Sequence, residues 1–205
     1  MRKFLTSLAA VTAVGSMAAV AHAQSPGVAD PAAVQAGAYA VEPDHTQVGF
    51  SVLHLGFTRY DGVFSKVSGQ LTLDPKTLET TALDVTVPVD TVQTTSAKLD
   101  GELKGDQWLN AGKFPTMRFR STKITRTGPN TATVAGDLTL HGVTRPVVLK
   151  AKFVGAGVNP LDRSYTAGFF VTGVIKRSDF GVTAYVPMVS DEVGLTINAA
   201  FHKAR

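Results

Sequence analysis

At 205 residues, with 44% hydrophobic and 18% charged side chains, the chain is long enough for one domain with a sizeable core and too apolar to be largely disordered. The formal charge of +4 falls to +2 once Arg2 and Lys3 are set aside with the apolar N-terminus, a balance that argues against a dedicated nucleic-acid binder. The lack of cysteine excludes disulfides, a thiol nucleophile, a CxxC redox pair, thiolate metal ligands and a lipoprotein anchor.

Residues 1–23 have the form of a secretory signal peptide. Arg2 and Lys3 open it, Phe4 to Val20 is apolar, and Ala21-His22-Ala23 supplies the small-x-small pattern before Gln24. The other reading of this stretch is a single membrane anchor. No later run approaches the roughly 18 consecutive apolar residues of a transmembrane segment, so none is expected in the mature chain. The expectation is an exported, periplasmic protein. Residues 24–38, rich in Ala, Pro and Gly and without periodicity, read as a flexible leader. Residues 39–205 are then the folded domain.

From Tyr39 the period becomes two. Val48, Phe50 and Val52 alternate with Gly49, Ser51 and Leu53. Thr58-Arg59-Tyr60 and Asp61-Gly62 read as a turn rimming an opening, with Arg59 a surface charge. Leu83, Val85, Val87 and Val89 alternate with Asp84, Thr86, Pro88 and Asp90, the cleanest half-buried strand pattern in the chain. Ser96 to Ala111 breaks the rule. Leu99 and Leu103 lie four apart with Leu109 beyond, and Ser96 is placed to cap, which predicts a short helix. Gly101 and Gly105 each weaken it by about 1 kcal/mol relative to alanine.

Alternation resumes after this helix. Met117 and Phe119 oppose Arg118 and Arg120; Leu138 and Leu140 oppose Asp137, Thr139 and His141. Val147, Leu149, Ala151 and Phe153 oppose Val148, Lys150 and Lys152. Val193, Leu195, Ile197, Ala199 and Phe201 oppose Gly194, Thr196, Asn198 and His202. Asp74-Pro75, Gly128-Pro129-Asn130, His141-Gly142 and Asn159-Pro160 mark turns between runs, and Gly155-Ala156-Gly157 reads as a hairpin loop. Alternation with one wet face is the signature of antiparallel sheet. The fold expected is all-β, about eight antiparallel strands with one helix, in a sandwich or, favoured because closure removes exposed edges, a barrel. The inward residues are almost wholly apolar and several are small. They form either a narrow tunnel or a packed core.

Marks of catalysis are missing from the pattern: there is no G-x-S-x-G, H-E-x-x-H, Walker loop or G-x-G-x-x-G. Of the histidines after residue 23, His45 and His54 lie nine apart across a strand, His141 falls in a turn and His202 faces outward, so no metal site and no catalytic residue are expected. Asp191-Glu192 reads as a solvated turn before the last strand. In Ile175-Lys176-Arg177-Ser178-Asp179-Phe180-Gly181, Arg177 and Asp179 share a strand face. They form either a structural ion pair or, with Arg177 at a barrel mouth, a contact for a polar ligand head.

Taken in series, several stretches resemble the YceI-like family of exported polyisoprenoid-binding proteins. They are Tyr39-Ala40-Val41-Glu42-Pro43-Asp44-His45-Thr46, Val48 to Gly56, Gly62-Val63-Phe64, Gly69-Gln70-Leu71, Thr94-Thr95, Trp108-Leu109-Asn110, Phe114 to Phe119, Gly136 to Thr144, Arg177 to Gly181 and Asp191-Glu192-Val193. The resemblance implies a lipocalin-like, extended eight-stranded antiparallel barrel, closed near one end, with the helix outside or over one end. Its long cavity would hold a polyisoprenoid, a quinone or a fatty amide or acid, with no other cofactor. Matching strands put Phe50, Val52, Val85, Val87, Phe119, Leu138, Leu149, Phe169, Val171, Leu195 and Ile197 on the ligand, with Arg177 near its head. Of the adjacent Phe169 and Phe170, the phase of Val171 selects Phe169. The function implied is non-catalytic carriage, or stress-linked sequestration, of such a lipid. The alternative is a lipid-modifying or quinone-linked redox-partner protein of the envelope. A homodimer is the other partner to expect, since small barrels often cover an apolar mouth in this way.

Overall fold

The computed structural model describes residues 25–204; the predicted signal peptide lies outside the described residues. Ten strands and one α-helix follow in chain order: β1 (Gly37–Val41), β2 (Gln47–His54), β3 (Thr58–Phe64), β4 (Ser68–Leu73), β5 (Ala82–Pro88), α1 (Ala97–Lys104), β6 (Thr116–Gly128), β7 (Thr131–Leu140), β8 (Val143–Val158), β9 (Tyr165–Lys176) and β10 (Glu192–Lys203). All pairings are antiparallel. They run β1-β4-β5-β6-β7-β8-β9-β10 and return to β1, which closes an eight-stranded barrel.

The two extra strands arise because two staves are broken. One edge of β10 pairs with β2 through Gly194–Asn198 and with β1 through Phe201–Lys203. β3 continues the next stave beside β2, and β4 lies beside β1. At the first break Pro43 has no N–H to give to a ladder. The Glu42 carboxylate instead accepts from the backbone N–H groups of Asp44 and His45. The buried Thr46 hydroxyl then takes over ladder pairing, accepting from Ala200 N at 3.0 Å and donating to Ala200 O at 3.2 Å. The Glu42-Pro43-Asp44-His45-Thr46 motif is therefore a stitched strand break.

Several sequence expectations change here. Asp61-Gly62 is not a turn but the middle of β3; the turn lies earlier, where Leu55 and Gly56 both have positive φ. Polar residues at Thr58, Arg59 and Asp61 conceal that strand, and its inward Gly62 carries no side chain to signal a period. Gly155-Ala156-Gly157 is likewise inside β8, not a loop. Those glycines admit the N-terminal segment: a Cβ on Gly157 would sit 2.0 Å from the Pro26 carbonyl oxygen. The segment expected to be a flexible leader bridges to β8 through Val28 and Ala156, Asp30 caps a single helical turn at Pro31–Ala33, and Val34 is buried. Irregular backbone held by tertiary contacts has no period to read. The helix is shorter than its predicted span, but Ser96 is its N-cap and Gly105 ends it. The His141-Gly142 turn is as expected, both residues taking positive φ between paired Leu140 and Val143.

Candidate functional site: the barrel cavity

Alternation sends one face of every stave inward, and these faces enclose a cavity of about 330 Å³, within the range of small-molecule sites. The wall is apolar from Val48 and Phe50 on β2 round to Leu195 and Ile197 on β10. Phe50, Val85, Leu138, Val171, Leu195 and Ile197 point inward yet are only partly buried, because their free surface faces the cavity. Of the two readings left open by the pattern, the structure has the tunnel and not the solid core.

Both ends are covered. At one, Val34, Leu71, Leu73, Phe153, Ala156 and Phe201 form a plug in which Phe169 stacks edge-to-face between Phe153 and Phe201, at centroid distances of 5.7 and 5.9 Å. Across this end Arg126 ties two connections together, donating to Pro75 O and Pro129 O. At the other end, Leu103 of α1 with Trp108 and Leu109 forms the cover. Ser96 caps α1 through the Leu99 N–H, and Asp100 receives two hydrogen bonds from Thr94 at 2.7 Å, which fixes the helix on the barrel.

All twelve residues singled out in the sequence line this cavity: Phe50, Val52, Val85, Val87, Phe119, Leu138, Leu149, Phe169, Val171, Arg177, Leu195 and Ile197. Phe170 lies on the outer face, as the phase argument required. The pattern missed Trp108, Leu103 and Leu109, which reach the cavity from a helix and a loop where a period of two gives no signal.

Arg177 lines the end of the cavity but is not the strand-face partner of Asp179. It belongs to a single helical turn, Arg177–Phe180, and not to a strand. Only 4% exposed, its guanidinium donates from Nε to Ser190 O at 2.9 Å, from Nη1 to Val182 O at 3.0 Å and from Nη2 to Val189 O at 2.8 Å. One face of the guanidinium lies over the Trp108 ring at 5.3 Å. Burial pulls its proton affinity down, and the Asp191 carboxylate works against that pull. Asp191 is no solvated turn residue. It accepts from the Ser178 hydroxyl and N–H, and these bonds hold its carboxyl below the usual carboxylate range. A charge committed to three carbonyls is a strut at the end of the cavity.

The remaining polar features lie elsewhere. His54 is exposed at the end of β2, and His45 sits outside, 2.6 Å from Glu42. On the barrel exterior Asp84 receives Arg118 and Arg120. Among the described residues, no three His, Cys, Asp or Glu side chains converge as a metal centre would require, and no helix is long and apolar enough to cross a membrane.

Known proteins share this barrel. The sequence model of the YceI-like domain matches residues 39–201. A UPF0312 protein of Pseudomonas fluorescens is 38% identical over 179 residues, 84% of this chain and 90% of that protein. The crystal structure of a Campylobacter jejuni YceI protein superposes with a TM-score of 0.67 at 30% identity, covering 74% of this chain and 90% of that one. A polyisoprenoid binding domain from Saccharophagus degradans shares the fold, with a TM-score of 0.62 at 13% identity over 83% of this chain and all of that one.

Proposed function

This chain belongs to the YceI-like family, and from that premise we propose that it is an exported, non-catalytic carrier that holds the tail of a long polyisoprenoid, quinone-like or related lipid in its barrel. The observation that carries the reading is the unfilled apolar cavity running between two covered ends. An isoprenoid or acyl tail is a string of apolar carbons, and removing it from water is worth roughly 25 cal/mol per Å². A wall without convergent polar groups suits such a tail along its whole length. The S. degradans domain, described as polyisoprenoid binding, supports the same ligand class.

On this reading the eleven apolar wall residues named above contact the lipid, Arg177 braces the end of the cavity, residues 1–23 direct export to the periplasm, and the bound lipid is the sole non-protein group. Carriage and sequestration use the same site; the difference between them lies in where the lipid goes next. The test is native mass spectrometry of the protein recovered from its own periplasm, with organic extraction of whatever it releases. One long-chain species at near-stoichiometric occupancy is expected. A clean unliganded mass, unchanged after incubation with ubiquinone and with a polyprenyl phosphate, would overturn the reading.

A further inference from the structure

Six of the twelve large exposed apolar side chains among the described residues lie together at one place. The end of β2 and the turn after it carry Leu53, Leu55 and Phe57, and the loop before β10 carries Tyr185, Val186 and Met188. Phe57 is 83% exposed and Tyr185 57%; the other four lie between 37% and 54%. Backbone hydrogen bonds hold the two segments together as one platform, Leu55 N to Met188 O at 2.7 Å and Ser190 N to Leu53 O at 2.9 Å, with a further bridge between His54 and Val189. Residues 53–58 and 183–190 contain no Asp, Glu, Lys or Arg. The adjoining charges are mixed: Arg59, the cross-strand neighbour of Leu53, borders the β2 tip, and Asp191 and Glu192 follow the second segment, with the Asp191 carboxylate turned to Ser178.

This patch is joined to the cavity. The Tyr185 ring packs on Trp108 at 6.1 Å, and Trp108 itself lines the cavity. Val52, next to Leu53, faces inward to the same space. Apolar surface therefore passes from the protruding tips through one tryptophan to the interior.

We propose that this platform docks on the surface of a lipid bilayer, with Phe57 and Leu55 inserted among the acyl chains and Tyr185 at the headgroup level, so that the α1 end of the barrel is where lipid passes between membrane and cavity. The proposal rests on the carrier reading for its purpose but not for its geometry. Protruding tips with aromatic ends and a flanking arginine fit an interface that is greasy below and anionic above. Six side chains at about half exposure offer on the order of 500 Å². A second copy of the chain fits less well, because each partner of a standard interface contributes about 800 Å².

The experiment compares the wild-type protein, recovered in soluble form, with the double variant Leu55→Ser/Phe57→Ser and the control Val148→Ser, a 60% exposed position on β8. Flotation with phosphatidylcholine vesicles, with and without phosphatidylglycerol, measures docking. Quenching of Trp108, the one tryptophan in the chain, by a short-chain quinone added from solution measures the cavity. The proposal expects wild type and Val148→Ser to float, more strongly with phosphatidylglycerol, the double variant to lose at least tenfold in partitioning, and all three to titrate alike with the quinone. Wild type that binds quinone but stays off vesicles overturns docking and leaves the carrier reading standing. Wild type that floats but takes up no quinone overturns the carrier reading and leaves docking standing. A wild-type dimer in sedimentation that the double variant dissolves, without flotation, overturns the proposal in favour of a contact between copies.

Discussion

Replacing Arg177 by methionine separates the strut from a ligand contact. The substitution keeps most of the side chain's apolar bulk but removes three charge-assisted hydrogen bonds, to Ser190 O, Val182 O and Val189 O. Each such bond contributes about 1.5–3 kcal/mol. Part of that returns as the carbonyls find water, and the net loss should match that of breaking a buried charged pair, about 3–5 kcal/mol. With a urea slope of about 2 kcal/mol per molar, the unfolding midpoint falls by roughly 1.5–2.5 M. Trp108, under the guanidinium at 5.3 Å, reports the local change by fluorescence, while circular dichroism follows the barrel. Arg177→Lys, which keeps the charge but cannot reach three carbonyls at once, should fall between wild type and methionine. A methionine variant within about 1 kcal/mol of wild type refutes the strut. An Arg177→Lys protein of full stability but weakened quinone titration would restore the head-group role that the sequence had left open.

Gly62→Ala should weaken lipid binding more than it weakens the fold, because its new Cβ would lie 2.3 Å from Cζ of Phe50 and the ring's free path is into the cavity; equal quinone titration of both proteins would count against this. Acid should destabilise the barrel. The Ser178 donors hold Asp191 low, and Arg118 and Arg120 hold Asp84 low. Against the upward pull of burial, the Asp44 and His45 N–H groups and the His45 ring hold Glu42 low. A carboxyl depressed in the folded state stabilises it above the unfolded value near 4 and loses that contribution as pH falls through the folded value. The urea midpoint should therefore be level through neutral pH and drop progressively below about pH 4, less steeply in Asp191→Asn. An unchanged slope in that variant would show that the Ser178–Asp191 bonds carry none of the effect.

The barrel wall was legible because a half-buried strand writes its inward face at every second residue. Leu83, Val85 and Val87 alternate with Asp84, Thr86 and Pro88, and all three inward residues do line the cavity. The same rule is silent on the ends. Trp108 and Leu103 reach the cavity from irregular or helical backbone, and Val34 plugs it from a segment whose composition reads as a linker. Arg177 was visible as an odd residue, but its partners are backbone carbonyls of residues 182, 189 and 190. A carbonyl has no side-chain identity, so no pattern of residue types could have named them, whereas Asp179 stood two positions away and invited the wrong pairing.

Why the interior stays open is a matter of where the bulk lies. Eight staves leave an interior that side chains can just fill, and this wall includes phenylalanines and leucines at many positions. Glycine opposite a bulky residue changes the outcome. The Phe50 ring lies over its cross-strand partner Gly62, and the Leu149 side chain lies over Gly173, at distances where any Cβ would collide. Each of these two side chains therefore packs against the wall over its glycine. Small inward residues such as Val85, Val171 and Ala199 keep the remaining wall thin. A core selected for stability alone would fill this space, since an unfilled apolar void forfeits contacts in proportion to its volume. The glycines sustain that void at the places where alanine would begin to close it, and that arrangement ties the sequence most directly to the holding of a slender apolar ligand.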